Sequence, residues 1–431
     1  MLISSGHSTS MNFLANQGYT QLEMRDKHEQ FDSLLSAKEI DVKEVKKICL
    51  SGCPDTSGIR SKCWKIMLDY FPKSACTRDE RLSKHRREYA GYVKDFVVES
   101  GRCTASDHPL NPEPSGEWIN FFNDNEVLLQ INKDCRRLCP DFDFFHRSTE
   151  FPCSVISDGK VSVSTLRRRV ETSSLQSRAV DHNLIGVTSM IRMPTYDAFC
   201  PANSLTSGLS CLLKNGGLSK RSDETNSGFS NDELHWEVIQ RILFVYYKTH
   251  VGQGYVQGMN EVIAPIYYVF ATDPDINWRR YAEADTFFCF NNLMTEIHPN
   301  FIRKLDNGQP PGIGGQLQTL MDLVARFDRP LYAHMTEIGL APEHFAFRWV
   351  SLLLSREFLL PEVIRLWDTL FADEHRFDML RYVCCSMLIL IREELLQADF
   401  PTAVNLVQHY PPEKQMFCIL SKARVLYSQR H

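Results

Sequence analysis

The sequence has few of the features that mark exported, membrane-spanning or disulfide-stabilised proteins. Its 14 cysteines among 431 residues are too sparse for a disulfide scaffold, and they show neither a C-x-x-C pair nor Cys/His spacing typical of zinc sites. The first residues lack a basic stretch followed by a long apolar one, so we expect no signal peptide. The longest apolar run, Tyr382 to Ile391, is too short to cross a bilayer. These observations favour a cytoplasmic protein with reduced thiols and no metal site.

The sequence also lacks a strong charge of either sign. Its formal net charge is −5 and its pI is about 6.3, which gives no indication of nucleic-acid binding through bulk charge. Short basic runs at 84–87 and 167–169 are interpreted as solvated helix faces. The balance of 43% hydrophobic and 23% charged residues is instead typical of a globular protein.

Apolar residues recur at helical spacing along most of the chain, which predicts an all-α fold. The segments expected to be helical in the second half of the chain are 282–297, 316–326, 329–338, 344–356, 361–371, 376–396, 400–408 and 412–428. The expected organisation, in chain order, is a disordered N-terminus (1–26), an N-terminal helical extension (27–57), a first helical subdomain (58–300) and a second helical subdomain (301–431). Within the first subdomain, residues 173–232 are rich in Ser, Thr, Asn and Gly and are expected to form a disordered insertion.

The loop 252–260 between two apolar helical segments is the first candidate site. Three glycines keep its backbone free of bulk around the polar side chain of Gln257. The glycine spacing nearly matches a dinucleotide-binding fingerprint, but that motif requires a preceding strand, and here the preceding segment is helical. Ser230 to Glu233 are expected to cap that helix. The alternative interpretation of the loop is an ordinary turn between two helices.

The helical segment 118–137 contains the second candidate site. Ile131, Asp134 and Arg137 recur at intervals of three residues and therefore lie near one helix face. Arg136 points about 100° away from that face. The alternative is that Asp134 and Arg137 form an ordinary surface ion pair, worth about 0.2–1 kcal/mol.

The segment's boundaries are indicated by residue types at both ends. Asp124 or Asn125 is expected to cap the helix. Pro140 is expected to stop it three residues beyond Arg137.

Both sites resemble motifs of the TBC (Tre-2/Bub2/Cdc16) domain, the Rab GTPase-activating family. The resemblance is carried by Ile131-x-x-Asp134-x-x-Arg137, which is similar to the arginine-finger motif, and by Tyr255-x-Gln257-Gly258-Met259, which is similar to the glutamine-finger motif. The two motifs stand in the family's order. The turn before Gly252 and the residues after Arg137 depart from the usual family pattern, but neither departure removes a finger residue.

Further stretches resemble structural signatures of the same family. They are Arg60 with Trp64, Arg348 within Phe-x-Phe-Arg-Trp, and Trp367 with Asp368. We expect Arg348 and Asp368 to pair in the core. Two other stretches, 235–243 and 282–290, resemble one particular subgroup of the family.

The resemblance implies a TBC-type fold of two adjoining helical subdomains and a GTPase activator with no independent reaction of its own. Arg137 and Gln257 would be supplied in trans, Asp134 would orient the arginine, and Tyr255 would hold the loop. Ile131, Gly258 and Met259, which belong to the same two motifs, would support this arrangement.

The resemblance also implies the partner. This would be a Rab-family small GTPase in its GTP-bound form, which binds GTP and Mg²⁺ itself, so this chain would need no cofactor. The protein would act in vesicle trafficking and meet membranes only peripherally, through the Rab. The alternative, from another functional class, is a non-catalytic helical scaffold that binds a small GTPase.

Overall fold

The computed structural model of the chain describes residues 21–98, 116–153, 166–173, 232–301 and 312–430. Regular structure in these ranges is helical, and strand pairing there is limited to isolated bridges between Glu39 and Ser74 and between Ser148 and Leu234. The predicted all-α fold is therefore confirmed. Among the helices of these ranges, none combines the length and the apolar character needed to span a bilayer.

The helices are numbered in chain order. They are α1 (Gln21–Leu35), α2 (Val42–Cys49), α3 (Ile59–Met67), α4 (Ala75–Val93), α5 (Gly116–Arg136), α6 (166–173), α7 (His235–Thr249), α8 (Met259–Ala271), α9 (Ile276–Arg279), α10 (Ala282–Ile297), α11 (Ile313–Phe327), α12 (Arg329–Glu337), α13 (Ala346–Ser351), α14 (Leu360–Ala372), α15 (Asp378–Leu390), α16 (Arg392–Leu396), α17 (Phe400–Gln408) and α18 (Met416–Ser428).

Several expected boundaries differ from the observed ones. Helix α1 begins at Gln21, so the end of the region expected to be disordered, 1–26, is helical. The expected insertion at 173–232 lies almost entirely outside the described residues. The expected subdomain boundaries at residues 58 and 301 stay predictions.

The expected cap of α5 is wrong, because the helix begins at Gly116 and Asp124 and Asn125 lie inside it. Both polar side chains find partners on other segments. Asp124 Oδ2 accepts a hydrogen bond from Lys248 Nζ at 2.7 Å, and Asn125 Oδ1 accepts one from Arg169 at 2.9 Å. A polar residue type that favours helix caps is tolerated inside a helix when tertiary partners satisfy it.

Helix α7 occupies the centre of the first half of the chain. Its residues from His235 to Tyr246 are all buried, and α5, α8 and α10 pack around it. The buried Arg241 of this helix donates to Glu283 of α10 at 2.6 and 2.8 Å and also bonds Glu233. Burying a guanidinium is costly unless it is paired and hydrogen-bonded, so this contact fixes the position of α7 relative to α10.

The start of α7 also differs from the expectation. The helix begins at His235, and the side chain of Glu237 accepts a hydrogen bond from the Leu234 backbone N–H at 2.9 Å. Glu233, expected to take part in the cap, instead bonds Arg241 and accepts from the Cys153 backbone N–H at 3.1 Å. The other expected cap residue, Ser230, lies outside the described residues.

A second buried carboxylate joins the two ends of the chain. Asp368 of α14 accepts hydrogen bonds from Arg60 Nε at 3.1 Å, Trp64 Nε1 at 2.7 Å and the Cys53 backbone N–H at 2.8 Å. The indole rings of Trp64 and Trp367 lie beside this cluster, 6.0 Å apart. Helices α2 and α3 consequently pack on α14, and the signature residues at both ends of the chain belong to one core.

The expected pair between Arg348 and Asp368 is wrong. Arg348 donates to both carboxylate oxygens of Glu357, at 2.7 and 2.8 Å, and to the Gln408 carbonyl at 2.9 Å. Its side chain is 37% exposed, so it does not lie in the core. Asp368 is already satisfied by donors from the N-terminal helices, which leaves Arg348 to pair with an acid nearby in the sequence.

We predict that Asp368→Ala lowers the free energy of unfolding by about 3–5 kcal/mol, because Arg60 Nε, Trp64 Nε1 and the Cys53 backbone N–H all lose their buried acceptor. Thermal or urea unfolding measures the loss. Asp378→Ala is the matched control, since it removes the partly exposed pair with Arg381 and should cost about 1 kcal/mol or less. Equal losses in the two variants would contradict the assignment of Asp368 as a core contact.

A pH effect on stability is expected from His235. Burial lowers the pKa of this imidazole to about 4, and its ring stacks on Phe144 and bonds the Tyr267 hydroxyl at 2.7 Å. In the unfolded chain the imidazole is protonated below about pH 6.5, whereas in the folded chain it stays neutral down to about pH 4. The free energy of unfolding is therefore highest above pH 6.5 and falls by about 2–3 kcal/mol as the pH drops to 4.

His235→Gln should flatten this slope in urea unfolding measured between pH 4 and 7, although it lowers stability at every pH. His375→Gln, at an exposed position, should leave the slope unchanged. An unchanged slope in His235→Gln would show that another group causes it.

Candidate functional site

The two candidate motifs meet at the fully buried side chain of Asp134, near the end of α5. The Tyr255 hydroxyl, from the loop between α7 and α8, donates to Asp134 Oδ2 at 2.8 Å. Asn260 Nδ2, in the first turn of α8, donates to the Asp134 carbonyl oxygen at 3.3 Å. These contacts join segments more than 120 residues apart in the sequence. The loop that carries Gln257 is therefore held against the end of the helix that leads to Arg137.

Arg137 directly follows the last residue of α5 and bonds Asp134 Oδ1 through its guanidinium. Its side chain is nevertheless 58% exposed. Its neighbour Arg136 takes a different direction and lies over the ring of Trp236, with its guanidinium carbon 5.2 Å from the ring centroid. Of these two adjacent arginines, Arg137 is the one that shares the buried carboxylate with the loop.

Glycine is required at the base of the glutamine loop. Gly258 has a φ of +106°, which side chains rarely adopt, and an added Cβ would lie 2.7 Å from Leu352 Cδ2. The next residue, Met259, is buried, and its sulfur accepts from the Val256 backbone N–H at 3.4 Å. Gln257 stands directly before these buried positions and is itself exposed, so its carboxamide is available to a partner.

Two supporting residues were not predicted from the sequence. Gln130, one helical turn before Asp134, donates to Asp134 Oδ2 at 3.1 Å. Glu261 accepts from Asn260 Nδ2 at 3.3 Å, and burial raises its pKa, while Arg356 and Arg137 act in the opposite direction. The i, i+4 spacing of Gln130 and Asp134 was the signal that could have identified the first of them.

The remaining motif residues, Ile131 and Tyr255, hold the site in place through burial and hydrogen bonding. Ile131, one turn before Asp134, is fully buried in the core. Burial, together with the nearby Cys135 and the carboxylate of Asp134, holds the pKa of Tyr255 well above its usual value. The phenol therefore remains a proton donor to the carboxylate at any ordinary pH.

Three cysteines that the spacing analysis did not group together meet in the core. The sulfurs of Cys49, Cys53 and Cys63 all lie within 4.8 Å of one another, and those of Cys49 and Cys53 are 3.4 Å apart. As thiolates they could hold one thiophilic cation such as Zn²⁺. Burial raises the pKa of each thiol well above its usual value, which favours the protonated form that packs as a small apolar group.

A cleft of about 900 Å³ lies away from the finger motifs. His235 and Val238 from the start of α7 and Tyr267 and Thr272 from the end of α8 line it, whereas Gln257 lies on the loop that joins the opposite ends of these helices. The residues that line this cleft include neither Arg137 nor Gln257, so the cleft is separate from the candidate site.

Comparison with known proteins identifies sequences and one solved structure similar to this chain. The model of the Rab-GTPase-TBC domain family matches residues 219–396, which include Gln257. TBC1 domain family member 13 from Homo sapiens is 44% identical over 413 residues, covering 93% of this chain and 97% of that protein. The GTPase-activating protein gyp1 from Schizosaccharomyces pombe is 31% identical over 218 residues, covering 45% of this chain and 41% of that protein.

A solved structure has a similar fold. The Ypt/Rab-GAP domain of Gyp1p superposes with a TM-score of 0.61 at 21% sequence identity, covering 95% of this chain and 99% of that one. At this identity the similarity concerns the fold alone.

We predict that Tyr255→Phe lowers the free energy of unfolding by about 1–3 kcal/mol, because it removes a donor from a buried carboxylate. Urea unfolding at pH 7 measures the loss. Tyr332→Phe, at a partly buried position on α12, is the matched control and should change stability by about 0.5 kcal/mol or less. An unaltered stability in Tyr255→Phe would mean that its hydroxyl is not needed to satisfy Asp134.

Proposed function

Because the chain belongs to the Rab-GTPase-TBC domain family, we propose that it is a GTPase-activating protein for Rab-family small GTPases. The family resemblance drawn from the motifs is confirmed, and the subgroup indicated by the stretches 235–243 and 282–290 is that of TBC1 domain family member 13. In this proposal the chain supplies Arg137 and Gln257 to the GTPase in trans and has no separate reaction of its own.

The proposed roles follow from the chemistry of GTP hydrolysis. The transition state spreads negative charge over the γ-phosphate oxygens, and a water must be held in line with the bond that breaks. The planar guanidinium of Arg137 can donate several hydrogen bonds to those oxygens, which lysine cannot reproduce. The carboxamide of Gln257 can accept a hydrogen bond from the water through its oxygen and donate one to the phosphate through its NH₂ group at the same time.

One observation carries the proposal: a single buried carboxylate, Asp134, holds both the helix end that bears Arg137 and the loop that bears Gln257. Both side chains are exposed. An exposed guanidinium and an exposed carboxamide, on segments that bind the same buried carboxylate, fit a protein that completes the active site of another protein. GTP and Mg²⁺ would accordingly be bound by the Rab in its GTP-bound form.

The second candidate function is a scaffold that binds a Rab without accelerating hydrolysis. The scaffold is disfavoured because binding alone does not require an exposed arginine and an exposed glutamine on two segments that both bind the buried carboxylate of Asp134. Rab GTPases act at membranes, so we further propose that this chain works in vesicle trafficking and reaches membranes through its Rab partner.

A panel of purified GTP-loaded Rabs, assayed for phosphate release with and without the full chain, distinguishes the two candidates. An activator stimulates hydrolysis by at least one Rab at substoichiometric concentration, whereas a scaffold stimulates none. The Rab that responds most strongly is the substrate for the variants described below.

We predict that Arg137→Ala lowers stimulated hydrolysis by about 10³-fold or more, the range known for arginine fingers, while the melting temperature changes little. Arg137→Lys should also fail, because it keeps the charge and loses the planar set of donors. Gln257→Ala should reduce the rate by at least tenfold. Single-turnover phosphate release measures each effect.

Arg136→Ala is the matched control, since it removes an equally charged, exposed neighbour that does not touch Asp134. It should keep stimulated hydrolysis within about threefold of the wild type, an effect of about 0.7 kcal/mol. If Arg136→Ala abolished activity and Arg137→Ala did not, the assignment of the finger would be wrong.

A further inference from the structure

The tip of the glutamine loop exposes an aliphatic side chain. Val251 is 80% exposed, more than any other large hydrophobic residue that the structure describes as exposed. Single exposed apolar residues are common on protein surfaces and by themselves indicate nothing. Two further properties of this loop distinguish Val251 from such residues.

The loop around Val251 is held rigidly. The backbone N–H groups of Gln253 and Gly254 donate to the His250 carbonyl at 2.9 and 3.0 Å. The Tyr246 hydroxyl donates to Gln253 Oε1 at 2.7 Å, and the rings of Tyr246 and His250 stack with centroids 4.3 Å apart. The exposure of Val251 is therefore a property of a fixed turn, and its side chain is presented to solvent in a defined direction.

Neither the backbone conformation nor the packing of this chain requires a glycine at position 252, next to Val251. The φ of Gly252 lies outside the left-handed region, and an added Cβ would meet nothing within 4 Å. Gly254 differs, because its φ of +71° favours glycine. A glycine that the fold itself does not require, at an exposed tip, is suited to close approach by the backbone of another molecule.

The tip lies within reach of the finger site. Val251 and Gln257 are six positions apart in the sequence, a span of at most about 22 Å even when fully extended, and the turn at His250 to Gly254 shortens this distance. A standard protein–protein interface covers about 800 Å² on each partner, a patch roughly 30 Å across. The tip therefore lies within the area that an interface including Gln257 can cover.

We propose that Val251 and Gly252 form a docking contact for the same Rab GTPase, on the surface beside its bound nucleotide. The contact rests on the proposed function and deepens it. Val251 places an apolar side chain against the GTPase, and Gly252 lets the two backbones approach. Because neither Val251 nor Gly252 has a polar side chain that could act on a phosphate, the tip contributes to binding rather than to the chemical step.

The test uses the full chain and the Rab that responds most strongly in the panel, loaded with GTP. Val251→Asp should raise KM at least tenfold, keep kcat within twofold and leave the melting temperature unchanged. Val425→Asp is the matched control, because Val425 is an exposed valine, 52% accessible, on α18. It should keep both kinetic constants within twofold of the wild type.

Gly252→Ala tests the close approach with the smallest possible side chain. It should raise KM at least threefold with kcat and the melting temperature maintained. Gly91→Ala is its control, because Gly91 in α4 also has open space around an added Cβ and no left-handed φ. That variant should change neither kinetic constant.

The outcomes separate the docking contact from the proposed function. If Val251→Asp retains the wild-type KM, or lowers kcat at constant KM, the docking contact is overturned. The proposed function is tested separately, because it depends on the loss of activity in Arg137→Ala. If Gly252→Ala and Gly91→Ala behave alike, the close approach at Gly252 is overturned. If the wild-type chain stimulates no Rab in the panel, the proposed function fails, and the docking contact fails with it.

Discussion

The arrangement of the site depends on one charge buried in the core. Asp134 has no contact with solvent, and a carboxylate in that position is stable only when its oxygens are fully engaged. Its donors are Gln130 from its own helix, Arg137 directly after the end of that helix, and Tyr255 from a loop far along the chain. When the chain folds so that this carboxylate receives its hydrogen bonds, the two finger segments are brought together. The need to satisfy a buried charge therefore also determines where the two finger segments lie at the surface.

Buried charges join distant segments elsewhere in the fold as well. Asp368 connects α14 to the N-terminal helices through Arg60 and Trp64, and Arg241 connects α7 to α10 through Glu283. In a bundle of amphipathic helices, apolar packing tolerates small shifts of one helix along another. A buried ion pair tolerates them much less, because a displaced partner leaves a charge unsatisfied. These pairs thus set the register in which the helices pack.

Much of the fold and the outline of the site could be predicted from the sequence. The bounds of α10 and α17 match the predicted 282–297 and 400–408, because apolar periodicity reports directly on the buried face. The choice of Arg137 over Arg136 followed from helix geometry and agrees with their observed contacts. The partners of Asp124 and Arg348 could not be predicted, since they depend on which segments fold against them. The grouping of Cys49, Cys53 and Cys63 escaped prediction for the same reason.

The pairing of Arg137 with Asp134 affects the free energy with which Arg137 can bind an anionic partner. A long, freely rotating arginine loses about 0.5–1.5 kcal/mol of conformational freedom when a partner immobilises it. Here the buried acid has already selected one orientation of the side chain during folding. The guanidinium has five N–H donors, and the contact with Asp134 engages only part of them. The guanidinium of Arg137 is therefore already oriented before an anion binds, and it keeps free N–H donors for hydrogen bonds to that anion.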